Sequence, residues 1–152
     1  MSKPVVPRQV SFLSTSKKDL ISAGELRLIA ELILHQARPQ GGWRVRIIVV
    51  PEAEIIQLNQ RVFNRDRSTD VISCNITTAE APVLEGEVYI SYETALRQAR
   101  EYKVSPGEEL QRLTAHGLYH LLGYEDGDAR QKEVMTALED EAMQRLRSFG
   151  RK

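Results

Sequence analysis

Three histidines occur in this chain of 152 residues, and two of them, His116 and His120, stand four apart in the stretch AHGLYHLLGYEDGD. On a helix, positions i and i+4 lie on one face, so this spacing brings two imidazoles to one side. That is how a helix offers two nitrogens to a single tetrahedral ion. A third ligand has to come from beyond the helix. Gly123 lets the chain turn back, and Asp126 follows three residues later. A carboxylate is an ordinary zinc ligand, so His116, His120 and Asp126 form a candidate set, with Glu125 and Asp128 as alternatives for the third place.

The pattern H-x-x-x-H-x-x-G-x-x-D follows the spacing of the metzincin peptidase motif, with aspartate in place of the third histidine. In zinc peptidases of this spacing a glutamate follows the first histidine and serves as general base. Here Gly117 stands there, so a peptidase would need its base from another segment. A bound zinc ion lowers the pKa of its water to about 7 without that glutamate. The set therefore suits hydrolysis, with the bond to be cut unspecified. The plain alternative is that both histidines are polar residues at a helix edge, and that Gly117 only lets another element pack close. His35 sits near the end of an earlier helix, where the dipole favours a cation; that, or simple exposure, accounts for it better than a ligand role.

The elements that must position these residues can be read from periodicity. QVSFLS, from residue 9, reads as a first strand. Residues 22 to 38 read as a helix with Leu26, Ile29, Leu32 and Ile33 on one stripe, and Ser22 with Glu25 as a capping box. PQGG, 39 to 42, is a turn, and WRVRIIVV, 43 to 50, is a strand entering a buried sheet. Residues 51 to 63 form a short helix with Ile55, Leu58 and Val62 inward. TDVISCNI, 69 to 76, and GEVYIS, 86 to 91, are strand-like. Ser91 caps a helix through about Tyr102, with Ala95, Leu96 and Ala99 inward. Ser105, Pro106 and Glu108 start the helix that carries Leu110, Leu113, Leu118, Leu121 and both histidines, and Gly123 ends it. A last helix runs from about Asp128 to Leu146, with Met135, Leu138, Ala142 and Leu146 on one stripe. The strands and helices do not alternate strictly, so the expected class is α+β: a small mixed sheet of about four strands packed with about five helices, and the metal site on and just after the penultimate helix.

Composition narrows the function. The length fits one domain over 1–152, with residues 1–8 and 148–152 as loose ends. The 21 basic and 21 acidic residues cancel, which argues against a general nucleic-acid coat or a membrane-surface protein but leaves room for a local basic patch. A single cysteine, Cys74, cannot form an internal disulfide. The N-terminal residues do not read as a signal peptide, and no apolar run is long enough to span a bilayer, so a cytoplasmic protein is expected.

HGLYHLLGYED closely resembles the signature of the bacterial YbeY endoribonucleases, or rRNA maturation factors, whose motif runs H-G-x-L-H-L-x-G-Y-D-H. LNQRVFNRDRSTDVISC is similar to the family's L-N-x-x-x-R-x-x-x-x-x-T-D-V-L-S-F segment, and LEGEVYIS to its L-G-D-I-x-I-S strand. The likeness spans about residues 9 to 147. It implies an α+β fold, one zinc or similar divalent ion, single-strand-specific cleavage of RNA, and a part in small-subunit rRNA 3′-end maturation and ribosome quality control. Its metal ligands carry over to His116, His120 and Asp126. The implied partners are RNA, with rRNA foremost, and the ribosomal small subunit, and no membrane.

Four departures stand out. Asp126 replaces the third histidine and Glu125 the motif's aspartate. The family's arginine falls on Phe63, and its final phenylalanine on Cys74. Asp126 adds a negative charge, so the ion would be a weaker Lewis acid than in a three-histidine site and its water less acidic. An arginine near the metal would hold the scissile phosphate. Arg61, Arg65 and Arg67 flank the gap, with Arg61 and Arg65 on one face if the helix reaches that far, and Arg65 is the named candidate for catalysis. Glu125 is a candidate for orienting groups around the ion. Arg44, Arg46, Arg61, Arg65 and Arg67 are the candidates for gripping RNA through phosphates. Thr69, Asp70 and Ser73 match the family segment and either contact RNA, order the strand beside the metal, or serve turn chemistry. Cys74 is better read as a small core residue than as a fourth ligand. Two other readings stand beside the nuclease: a ribosome-associated assembly factor with structural zinc, and a zinc metallopeptidase-like hydrolase.

Overall fold

The computed structural model describes residues 6–15, 23–65, 67–80 and 82–149. The elements run β1 (Arg8–Ser14), α1 (Ala23–Ala37), β2 (Trp43–Val50), α2 (Glu52–Phe63), β3 (Val71–Asn75), β4 (Leu84–Ser91), α3 (Tyr92–Tyr102), α4 (Pro106–Leu121) and α5 (Ala129–Phe149). The strands form one sheet in the order β1-β2-β4-β3. β1 and β4 pair parallel with β2, and β3 pairs antiparallel with β4 at the edge. This is the expected α+β architecture.

Alternation along β2 sorts the two faces of the sheet. Trp43, Val45, Ile47 and Val49 join the main core with residues of α1, α3, α4 and α5. Ile48 and Val50 join a smaller cluster on the other face with Ile55 of α2 and Ile72 of β3. Toward the start of β2 that second face turns polar. Arg44 and Arg46 stand opposite Glu85 and Glu87 in the β2–β4 register and pair with them at 3.2 and 3.0 Å.

The capping chemistry at α3 and α4 follows the sequence. Ser91 Oγ accepts from the Thr94 amide, and Ser105 Oγ from the Glu108 amide at 3.1 Å, with Pro106 in the first turn. In α5, Met135 and Ala142 are buried and Leu138 and Leu146 pack against the core. Differences lie at element ends and edges. In α1, Leu34 is fully buried, whereas Leu32 is half-buried. In α2, Val62 is 49% exposed because the helix reaches past the small second cluster. Ser22, expected as a cap, lies outside the described residues. The described elements reach into both end segments. Arg8 begins β1, anchored next to the bond from the Trp43 amide to the Pro7 carbonyl, and α5 continues to Phe149.

α4 is buried on nearly every side, flanked by α1, α3 and α5 and lying on β3 and β4. Its approach to the sheet depends on two glycines. A Cβ at Gly117 would stand 2.4 Å from Val88 Cγ1, and one at Gly86 would stand 2.7 Å from Leu121 Cδ1. Gly117 thus fills the packing role open to it in the sequence. Gly117→Ala is expected to lower the unfolding free energy by about 1–3 kcal/mol through overpacking. A urea titration measures this as a lower midpoint at unchanged slope; an unaltered midpoint would show that α4 can lift off the sheet at no cost.

Candidate metal centre

His116 and His120 project from the C-terminal half of α4 into a cleft that β3 also lines. The helix stops where expected. Leu122 ends it, Gly123 takes φ +102°, and the Tyr124 amide bonds back to the Tyr119 carbonyl at 2.9 Å. This reversal returns the chain over the imidazoles. Asp126 Oδ2 comes to 3.2 Å from His116 Nε2 and 3.4 Å from His120 Nε2, and the two Nε2 atoms are 3.1 Å apart.

These separations test the fit to a metal. Ligand atoms about 2.0–2.1 Å from a tetrahedral ion stand about 3.3 Å from one another. The three donor atoms are already at that spacing. The other ring nitrogens are engaged: His116 Nδ1 lies 2.6 Å from Glu139 Oε2, and His120 Nδ1 lies 3.0 Å from the Tyr124 carbonyl. Each contact suits a proton on Nδ1, which leaves the Nε2 lone pairs pointing at a shared centre. Two neutral imidazoles and one carboxylate make a donor set suited to zinc or a similar divalent ion. Among the described residues this is the one group of three such donors able to share an ion.

The alternatives for the third position separate cleanly. Asp128 Oδ1 accepts from the Gln131 amide at 2.8 Å, while Gln131 Oε1 accepts from the Gly127 and Asp128 amides. Asp128 is therefore the cap of α5. Glu125 is exposed on the wall of the cleft and does not join the three-donor group. Cys74 points to the α2 side of the sheet, packed against the smaller cluster. Burial, with the Glu87 charge adding to it, pushes its thiol pKa up, away from thiolate chemistry. His35 is exposed and packs edge-on against Trp43.

The donors line a cleft of about 510 Å³. Its other walls come from β3 and from the loop between α2 and β3. That loop carries Arg65, Thr69 and Asp70, and Phe63 at the end of α2 also lines the cleft. Helix α2 ends at Phe63 with Asn64 in the left-handed conformation, so Arg65 does not share a helix face with Arg61. The loop is braced by Asn59, a buried residue whose amide donates to the Arg67 carbonyl at 2.9 Å. Arg65 reaches the cleft. Arg67 lines a neighbouring hollow with Phe63 and Arg65. Arg44 and Arg46 lie on the opposite face of the sheet, paired with carboxylates. Thr69 lines the cleft, Ser73 Oγ donates to the Gly117 carbonyl at 2.8 Å, and Asp70 accepts from Gln98 at 3.3 Å.

A charge cluster behind His116, with both of its carboxylates buried, is the feature that local sequence reading passes over. Glu139 of α5 uses Oε2 on His116 and Oε1 on Arg112 Nη1, the latter at 3.2 Å. Arg112 Nε also meets Glu109 Oε1 at 3.3 Å. Burial disfavours charge on the His116 ring, but the hydrogen bond to Glu139 and the charges of Glu139, Asp70 and Asp126 outweigh it and raise its pKa. Burial raises the pKa of Glu109 despite Arg112. The sequence signal was an acid, Glu139, inside the apolar stripe of α5, and Glu109, Arg112 and His116 at i, i+3 and i+7.

A family model described as Endoribonuclease YbeY matches residues 13–147. The chain is similar to an Endoribonuclease YbeY of Chloroflexus aggregans, 36% identical over 135 residues, covering 78% of this chain and 88% of the relative. One from Chloroherpeton thalassium is 33% identical over 128 residues, covering 84% and 89%. The solution structure of TM1509 from Thermotoga maritima matches with a TM-score of 0.60 at 26% identity, covering 93% of this chain and 94% of that one.

The two aspartates are expected to separate on stability. In metal-free protein, Asp128→Ala should cost about 1 kcal/mol, the usual loss for a helix cap. Asp126→Ala, at a position 41% exposed, should change stability by less than about 0.5 kcal/mol. Urea denaturation in the presence of a chelator measures both. The reverse order would assign the capping role to Asp126.

Proposed function

The chain belongs to the YbeY endoribonuclease family, and on that premise we propose that it is a metal-dependent endoribonuclease acting on single-stranded RNA. His116 and His120 hold a zinc or similar divalent ion through Nε2, and Asp126 holds it through Oδ2. The observation that carries this reading is the three donor atoms standing 3.1–3.4 Å apart with both Nδ1 atoms engaged elsewhere. Such an ion supplies Lewis acidity toward a phosphate oxygen and a more acidic water.

The chain's own residues supply substrate grip. Arg65, exposed at the cleft, takes the phosphate role that the family's arginine would have at position 63. Arg67 extends that grip along the neighbouring hollow. Phe63, 48% exposed on the cleft wall, offers a flat apolar face. An unpaired base can stack on it and a duplex cannot, which supports a single-strand preference. Glu125 stands on the cleft wall, where it can orient water or a ribose hydroxyl. The zero net charge gives little general attraction for nucleic acid. Selectivity therefore comes from a partner, which we take to be the small ribosomal subunit, with the 3′ end of its rRNA as substrate and ribosome quality control as the setting.

A peptidase reading loses its base on physical grounds. A side chain at position 117 would run into Val88, Ser73 and Val71, so no glutamate fits there. The assembly-factor reading draws on the replacement of the arginine by Phe63. The two remaining readings part in one assay series. Purified protein is expected to carry about one zinc per chain by mass spectrometry, and Asp126→Ala to lose most of it. The loaded protein should cleave a single-stranded RNA oligonucleotide and spare its duplex, and His120→Ala should lower the rate about 100-fold or more. Arg65→Ala should lower it about 10–100-fold, the worth of one charged hydrogen bond. Full zinc and ribosome co-sedimentation without metal-dependent cleavage would establish the assembly factor instead.

A further inference from the structure

We infer that Glu139, held by Arg112 and Glu109, is a positioning residue for the metal centre: it fixes the tautomer and aim of His116 and thereby sets the affinity for the ion. The inference rests on the metal-centre reading above and goes beyond it, because none of these three residues is a ligand.

The geometry admits little freedom. His116 can present Nε2 to an ion only with its proton on Nδ1 and its ring turned to one angle. Glu139 Oε2, 2.6 Å from Nδ1, enforces both conditions. A carboxylate on a flexible side chain would do this poorly. Glu139 is not flexible: it comes from the middle of α5, is 4% exposed, and its second oxygen is held by Arg112. Arg112 is itself fixed between two carboxylates and by stacking on Tyr102, its guanidinium carbon 5.1 Å from the ring centre. Glu109 is fully buried, one oxygen on Arg112 and the other without a partner among the described residues. Burying two carboxylates is costly. The core would be served by apolar residues at 109 and 139, as it is at Leu110, Leu113 and Met135. The function that remains for the cluster is to hold one carboxylate oxygen against His116. Two helices then meet at the ion: α4 supplies both histidines, and α5 sets the orientation of one of them.

Zinc affinity, read by competition with a chromophoric chelator, tests this without reference to RNA cleavage. Glu139→Gln keeps shape and size and should weaken zinc binding about 10–100-fold, the usual effect of losing such a partner. Arg112→Lys cannot span both carboxylates and should also weaken binding. In the Glu139→Gln background the same Arg112→Lys change should do nothing further. Long-range nitrogen–proton NMR of the metal-free protein should show His116 protonated on Nδ1 in the parent and mixed in Glu139→Gln. Parent-like zinc affinity in a folded Glu139→Gln protein would overturn this inference and leave the metal centre standing. Failure of the parent to bind zinc would overturn both. Independent, additive effects of Glu139→Gln and Arg112→Lys would show a structural role only and overturn the positioning role.

Discussion

The seating of α4 on β3 and β4 is the constraint on which the rest of the molecule depends. At Gly117 no side chain separates helix from sheet, and Val88 occupies the space a Cβ would need. Ser73 and Asn75 of β3 reach the spare lone pairs of the Gly117 and Leu121 carbonyls, at 2.8 and 3.4 Å. These contacts fix the rotation of α4 about its own axis. His116 precedes Gly117 and His120 lies one turn on, so the same rotation decides where both imidazoles point. Core packing and donor geometry are one constraint in this chain. The position that would hold a peptidase's base is consumed by the packing that aims the imidazoles.

The remaining parts of the cleft hang on the edge of the sheet. β3 is five residues long and, among the described residues, pairs only with β4 at the edge of the sheet. Val71, Ser73 and Asn75 turn toward α4, and Ile72 and Cys74 toward α2. The loop before β3 is held by Asn59 below and by Asp70 above, whose carbonyl accepts the Ser91 amide at 2.9 Å. Phe63 and Arg65 are therefore carried to the cleft by backbone anchors rather than by helix geometry. Tertiary anchoring of this kind accounts for the helix ending at Phe63 while the chain still delivers Arg65 to the histidines.

What the sequence disclosed follows from the range of each interaction. His116, His120, Gly123 and Asp126 lie within eleven residues, and helical period plus one left-handed turn relates them, so their meeting was legible. The caps Ser91 and Ser105 act over three residues and were legible for the same reason. Spacing favoured Asp126 but left Asp128 open, because its capping role depends on where α5 begins and on the return bonds from Gln131. Arg44 and Arg46 read as free cations in a strand. Their partners Glu85 and Glu87 are 41 residues away and become neighbours only through the parallel β2–β4 register. Glu139 is 23 residues from His116, and nothing local connects them. Its presence in an otherwise apolar stripe was the visible trace, and the packing angle of α5 on α4 gave it meaning.

The balance of charge around the cleft explains why these features belong together on the reading proposed above. A phosphodiester entering it meets Asp70, Glu125 and Asp126 at the walls, with Glu139 and Glu109 behind. Arg112 is taken up by its two carboxylates, and among the described residues Arg65 is the basic side chain on the cleft wall. Without further positive charge, such a cleft repels the polyanion it is meant to hold. A divalent cation between His116, His120 and Asp126 reverses the local sign, since a bound ion is the largest charge in its surroundings. RNA affinity and metal occupancy are then linked, each favouring the other. An exposed phenylalanine in place of an arginine fits that proposal: Phe63 would add grip that does not depend on charge, in a cleft whose positive charge would come from Arg65 and the ion.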